Sequence, residues 1–229
     1  LYAQDTTYIQ WDPPQQISFA PYFATVPQIV AEGDTVHLVW TTSNGPSVFY
    51  ARSTNAGVSW SEPLVLDDTT NSVGRLSQGT FSAALQYGYV FWSRCTPPCV
   101  PLNSNRVLDL RRSIDAGTTW LPRVTIADDG INTGNSSYFS AARGNVVGLI
   151  NTRTPRFLGD RFAWSWDTGL QWNFYNVNTV VFDHFVILSN GIHLVREIVP
   201  SGSPSVEVAY LYSGDFGQTW TSAYFLSTQ

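Results

Sequence analysis

Every one of the twelve cationic side chains in this sequence is an arginine, because lysine is absent. A guanidinium is a planar, permanently charged fork that bonds both oxygens of a carboxylate at once. Arginines gathered in one place would therefore form a receptor for an anionic ligand. The formal net charge is nevertheless -5, against 17 acidic residues, which speaks against wrapping nucleic acid or an anionic membrane. The two cysteines, Cys95 and Cys99, flank Pro97 and Pro98 in a loop-like stretch. They cannot complete a four-ligand zinc site alone, and His37, His184 and His193 lie far off in sequence. A short disulfide is the expectation, with free thiols and a metal as the alternatives, and it favours an oxidising compartment. No metal and no cofactor is expected.

What positions these groups is a repeat. Four octets align: Ser53, Asn55, Gly57 and Trp60; Ser113, Asp115, Gly117 and Trp120; Ser165, Asp167, Gly169 and Trp172; Ser213, Asp215, Gly217 and Trp220. The shared pattern, Ser-x-Asp/Asn-x-Gly-x-x-Trp, recurs at the spacing of propeller blades. Asp or Asn accepts hydrogen bonds from nearby N–H groups, Gly permits a positive φ, and Ser bonds locally, so each octet reads as a tight structural turn between two strands. The closing tryptophan offers an apolar face for packing between units. Strand-like runs precede and follow each turn, and upstream of each a strand pair is expected to pivot at Gly33, Gly88, Gly144 and Gly191.

Each unit is thus a four-stranded antiparallel sheet, A-B-C-D, and the fold class is all-β, a β-propeller. One domain is expected over 1–229, with units at about 22–67, 68–127, 128–177 and 178–229. Residues 1–21 resemble the outer strand of a further blade, since Trp11 and Pro14 repeat the spacing of Trp60 and Pro63. The fourth unit already has its own outer strand near Tyr224, so the ring is incomplete or closes unusually. No apolar run is long enough to span a bilayer. The chain opens on Leu1 without a charged-then-apolar leader, so it is expected to have been processed, trimmed or cut from something longer. Secretion is the expected localisation, and Asn135-Ser136-Ser137 matches a glycosylation acceptor.

The octet resembles the Asp-box, or BNR repeat, of the sialidase-like propellers, over about residues 22–229. The resemblance puts the C–D turns at the bottom and the B–C and D–A connections at the top. Those connections carry Arg75, Arg94, Arg106, Arg153, Arg156 and Arg196, half of all the arginines. Two readings stand: a site for an acidic glycan, or loop charges paired with Asp160, Glu197 or Asp183. Aligning the units on their glycines sets Pro27, Ser82, Tyr138 and Phe185 at one level of the inner strands. The resemblance further implies a tyrosine nucleophile paired with a glutamate and an aspartate acid/base, for which Tyr138, Glu197 and Asp183 are the counterparts by position. Where sialidases carry an Arg-Ile-Pro type motif, this chain has Val26, Pro27 and Gln28. His37 and His193, each in an aliphatic-His-Leu-Val setting, read as packing or hydrogen-bonding residues. Trp164, Trp166 and Trp172 read as inter-blade core before sugar-stacking faces.

The function implied is a carbohydrate-directed propeller, glycan-binding or part of a glycoside hydrolase. The alternative is a structural or protein-interaction propeller, and the third reading is an exo-α-sialidase.

Overall fold

Runs rich in Val, Ile, Phe, Tyr and Trp, punctuated by tight turns, can satisfy their backbone only by pairing with one another. Among the described residues they do so as sixteen strands in four antiparallel sheets. The computed structural model describes residues 13–19, 21, 23–42, 48–67, 81–84, 86–95, 106–126, 137–152, 160–177, 182–198 and 207–226. Blade 1 holds β1 (Ala24–Glu32), β2 (Thr35–Thr42), β3 (Val48–Ser53) and β4 (Leu64–Val65). Blade 2 holds β5 (Phe81–Ala84), β6 (Tyr87–Cys95), β7 (Arg106–Ser113) and β8 (Val124–Ile126). Blade 3 holds β9 (Ser137–Arg143), β10 (Val146–Thr152), β11 (Asp160–Ser165) and β12 (Asn173–Val177). Blade 4 holds β13 (Phe182–Leu188), β14 (Gly191–Ile198), β15 (Glu207–Ser213) and β16 (Tyr224–Phe225). Strand order follows chain order in each sheet, and no helix occurs among the described residues.

The octets are the C–D turns. In blade 2 the Ser113 hydroxyl donates to Asp115 Oδ1 (2.8 Å) and accepts from Gly117 N (2.8 Å), while Asp115 Oδ1 accepts from Thr119 N (2.8 Å). The same three bonds recur in the other blades, with Asn55 standing in for aspartate in blade 1. Ala116 and Gly117 both have positive φ, 53° and 75°. The left-handed pair turns the chain back within the octet, at a conformational cost to the non-glycine member. Burial pushes the Asp115 carboxyl up, but the hydrogen bonds from Thr119 and Ser113 outweigh it and hold the group below its usual range. At Asp215 the Thr219 hydroxyl is the chief cause, and the carboxyl drops to about 2.

The core lies between blades rather than within them. Val39, Val48, Tyr50 and Leu66 of blade 1 pack on Phe81, Val90 and Trp92 of blade 2. Tyr89, Phe91 and Leu110 of blade 2 meet Val147, Leu149 and Ala163 of blade 3. Ile150, Phe162 and Trp164 of blade 3 meet Phe185, Ile192 and Leu194 of blade 4. The octet tryptophans reach backward across these seams: Trp120 stands edge-on to Tyr50, Trp172 to Phe91 and Trp220 to Phe162. No cluster of described residues joins blade 4 to blade 1, so the four blades form an open arc.

One expectation changes. The hairpins turn at residues 33–34, 144–145 and 189–190, and Ala84 pairs with Tyr87 in blade 2, so Gly88 lies inside β6 and Gly191 opens β14. Aligning on glycines therefore slips the inner strands, and Asp183, not Phe185, lies at the level of Tyr138. Of the N-terminal stretch, residues 1–12 lie outside the described residues and 13–19 belong to no sheet, although Ile17 packs on Trp40, Phe49 and Ala51 of blade 1.

Candidate functional site

In blades 1, 2 and 3 the octet hydrogen-bonds the A–B turn of its own blade, as Ala116 N does to Gln86 O (2.7 Å), so both kinds of turn share one end of the arc. The B–C and D–A connections join strand ends that lie at the other end. Most of their length, including Arg75, Arg153, Arg156, Asn135 and Cys99, lies outside the described residues, as does the Cys95–Cys99 disulfide expectation. The strand ends that feed them are described. Arg94 pairs with Val107 and Cys95 with Arg106 where β6 and β7 approach the connection, so the backbones of Arg94 and Arg106 converge. Arg196, 5% exposed, pairs with Phe182 and Ala209 near the same end of blade 4. It shares the face of Leu194, against blade 3.

The remaining candidates separate. Tyr138 pairs with Asn151 on the inner strand of blade 3. Asp183 sits in the β-bulge between Phe182 and His184, beside the Phe182–Arg196 pair. Glu197 follows Arg196 and so takes the opposite face of blade 4, exposed and turned away from blade 3. Asp183 is thus brought beside Arg196 by register, whereas Glu197 is not brought to Tyr138. Another bulge lies at the first inner strand, between Thr25 and Gln28, where Val26 has a φ of 49°. A β-branched residue is costly there, and such backbone is held only where the surroundings impose it.

Charge is buried elsewhere by pairing. Asp67 and Asp109, both fully buried, flank Arg123 at 3.5 and 3.7 Å, and Thr125 donates to Asp109 (2.6 Å). The cluster ties the outer strands of blades 1 and 2 and is structural. A cavity of about 210 Å³ opens between the 13–19 stretch and blade 1, lined by Phe19, Trp40, Phe49 and Glu62 among others. No group of three potential metal ligands occurs among the described residues. No helix there is long and apolar enough to cross a membrane. Trp164 is buried and stacks on Phe216 of the blade 4 octet (5.4 Å), while Trp166 is exposed at the octet end, away from the arginine-bearing end.

The histidines form a pair that the sequence only half disclosed. His37 Nδ1 meets Tyr50 Oη at 2.7 Å, and His193 Nδ1 meets Tyr210 Oη at the same distance. Burial and then the nearby Arg52 charge lower His37 to about 4, so it is neutral. The repeated His-Leu-Val was the available signal. Its tyrosine partners, Tyr50 and Tyr210, each lie three residues before an octet serine, in Val-x-Tyr-x-x-Ser.

No family model and no curated protein matches this sequence. Solved structures are similar in fold. A sialidase of Trypanosoma rangeli, in complex with 2,3-difluorosialic acid as a covalent intermediate, superposes with a TM-score of 0.58 at 16% identity, over 86% of this chain and 37% of its own. A subtype N10 neuraminidase-like protein of A/little yellow-shouldered bat/Guatemala/060/2010 gives 0.57 at 10%, over 88% and 68%. A xylan β-1,4-xylosidase from Bacillus halodurans gives 0.51 at 13%, over 87% and 41%. The chain thus spans well under half the length of the sialidase. With four antiparallel blades arrayed as in these structures, the chain has a sialidase-like β-propeller fold.

Proposed function

We propose that this chain is the carbohydrate-directed part of a secreted Asp-box propeller and binds acidic glycans at the end of the arc opposite the octets. The observation that carries this reading is the arrangement of arginines at that end. The backbones of Arg94 and Arg106 converge, Arg196 is buried beside the Asp183 bulge, and the adjoining connections hold Arg75, Arg153 and Arg156. Guanidinium forks suit the carboxylate of an acidic sugar. The structural neighbours support a carbohydrate theme through what their names say they bind or cleave.

Binding outlasts catalysis here. The first inner strand offers Val26, Pro27 and Gln28 where an arginine would complete a carboxylate clamp, and Glu197 faces away from Tyr138. The chain alone therefore turns over little or no sialoside. Calorimetric titration with a sialoside and with sulfate, at equal ionic strength, tests the reading. It requires preference for the sialoside, and weakening by Arg→Lys at positions 94, 153, 156 and 196, because a point charge cannot reproduce the fork. Equal binding of both anions, or indifference to all four substitutions, leaves the protein-interaction reading in front. Efficient hydrolysis would overturn the non-catalytic part.

A further inference from the structure

The three seams of the arc follow one rule. The octet glycine of each following blade seats on one strand-C side chain of the blade before it: a Cβ on Gly117 would strike Tyr50, on Gly169 Leu110 (2.6 Å), and on Gly217 Phe162 (2.6 Å). The residue just before each octet serine reaches the same neighbour. Arg52 donates to Ala116 O (2.8 Å), Arg112 donates to Thr168 O (3.1 Å), and Trp164 stacks on Phe216.

The two ends of the arc hold the halves of a fourth such seam. At blade 4 the socket position is Tyr210, bonded to His193 with the geometry that Tyr50 and His37 have under Gly117. Around it Val186, Val208 and Tyr224 are 53%, 43% and 67% exposed, and no hydrophobic cluster of described residues spans that face. At blade 1 the key is present without a lock: Gly57 has a φ of +89° and nothing within 4 Å. Among the described residues it is the only octet glycine left unseated.

We propose that the open face of blade 4 docks blade 1 of a second copy of this chain, head to tail, with Gly57 seated on Tyr210 and His193. The occupant follows from the socket. The His–Tyr pair of blade 1 is filled by an octet turn, so its duplicate in blade 4 fits an octet turn, and among the described residues the unseated octet turn is that of Gly57. Such a contact is heterologous: copies add head to tail, closing into a ring only where the rotation allows it and otherwise running on as a filament. One exchange accompanies docking. Ile17 fills on blade 1 the slot that Leu66 and Ile126 fill on blades 2 and 3, each six residues past its tryptophan. Leu226, 55% exposed, is the equivalent residue of blade 4 and replaces Ile17.

Sedimentation equilibrium of the 229-residue chain over a range of concentrations tests this. The expected result is reversible association toward twice 25.4 kDa or beyond. Val186→Arg, on an exposed side chain, should weaken it about tenfold or more through an unpaired charge at a buried seam. Gly57→Val should weaken it similarly, and Ile17→Ala should tighten it, with circular dichroism confirming that each variant folds. A monomer at every concentration overturns the proposal, including one in which Tyr210 is shielded by closure of a single arc. Association indifferent to both Val186→Arg and Gly57→Val overturns it as well, and an unchanged constant for Ile17→Ala overturns the exchange.

Discussion

Replacing Gly117 by alanine probes the seam on which the whole arc depends. Its φ of +75° strains any L side chain, by about 1–2 kcal/mol, and Gly57 at +89° carries the same penalty. The two positions differ in what a Cβ meets. At Gly57 it meets nothing within 4 Å, whereas at Gly117 it overlaps Tyr50 Oη and stands 2.8 Å from Tyr50 Cζ and 3.1 Å from His37 Nδ1. Tyr50 and His37 are each 2% exposed, so neither can swing into water. Accommodating the methyl breaks their 2.7 Å bond, at about 1–3 kcal/mol for buried groups left unpaired. It also disturbs the Tyr50–Trp120 edge contact, worth about 0.5–1.5 kcal/mol. Gly117→Ala should therefore be less stable than Gly57→Ala by about 2–4 kcal/mol, roughly 5–15 °C in Tm for a chain of this size. Urea denaturation at concentrations where the chain is monomeric gives the comparison. Equal losses for the two variants would refute the seating of octet turns on the preceding blade. Adding Tyr50→Phe to Gly117→Ala should recover part of the loss, because the overlapping oxygen is gone.

His37 makes stability depend on pH: its folded value of about 4 lies below the unfolded 6.5, so the unfolded chain binds more protons between them. Stability should fall by at most about 3 kcal/mol as pH drops through that window, and His37→Gln should flatten the slope. The octet carboxylates act lower down. Asp115, Asp167 and Asp215 are held below their usual range, so their contribution is present above the unfolded value of 3.8 and fades on further acidification; carboxyl titration by NMR reads it directly. Asp115→Asn should be mild, since Asn55 makes the same turn in blade 1, while Asp115→Ala should cost about 1–3 kcal/mol in urea denaturation.

The blades were legible in the sequence because the octet chemistry is local: a serine, an acceptor two residues on and a glycine two further fix one turn, and strands must flank it. Hairpin register was not legible from glycines. Gly33 and Gly144 do occupy turns with φ near +57°, but Gly88 serves close packing against Trp120 inside β6, and Gly191 lies in β14. The same letter answers two different physical demands. Opposite facing of Arg196 and Glu197 follows from strand alternation once β14 is placed, yet which face meets blade 3 depended on packing from residues far away in sequence. Reading His37 and His193 as hydrogen-bonding residues matched their geometry, but that no described octet turn seats over His193 could appear only in three dimensions.

Where an acidic glycan lands on the arc is the most direct question, and backbone amide shift mapping with a sialoside answers it. The account predicts perturbations at Arg94, Arg106 and Arg196 and along the adjoining connections, with Gly117, Gly169 and Gly217 at the far end unmoved. Perturbations confined to the octet end, or a spectrum unchanged at saturating sialoside, would contradict it.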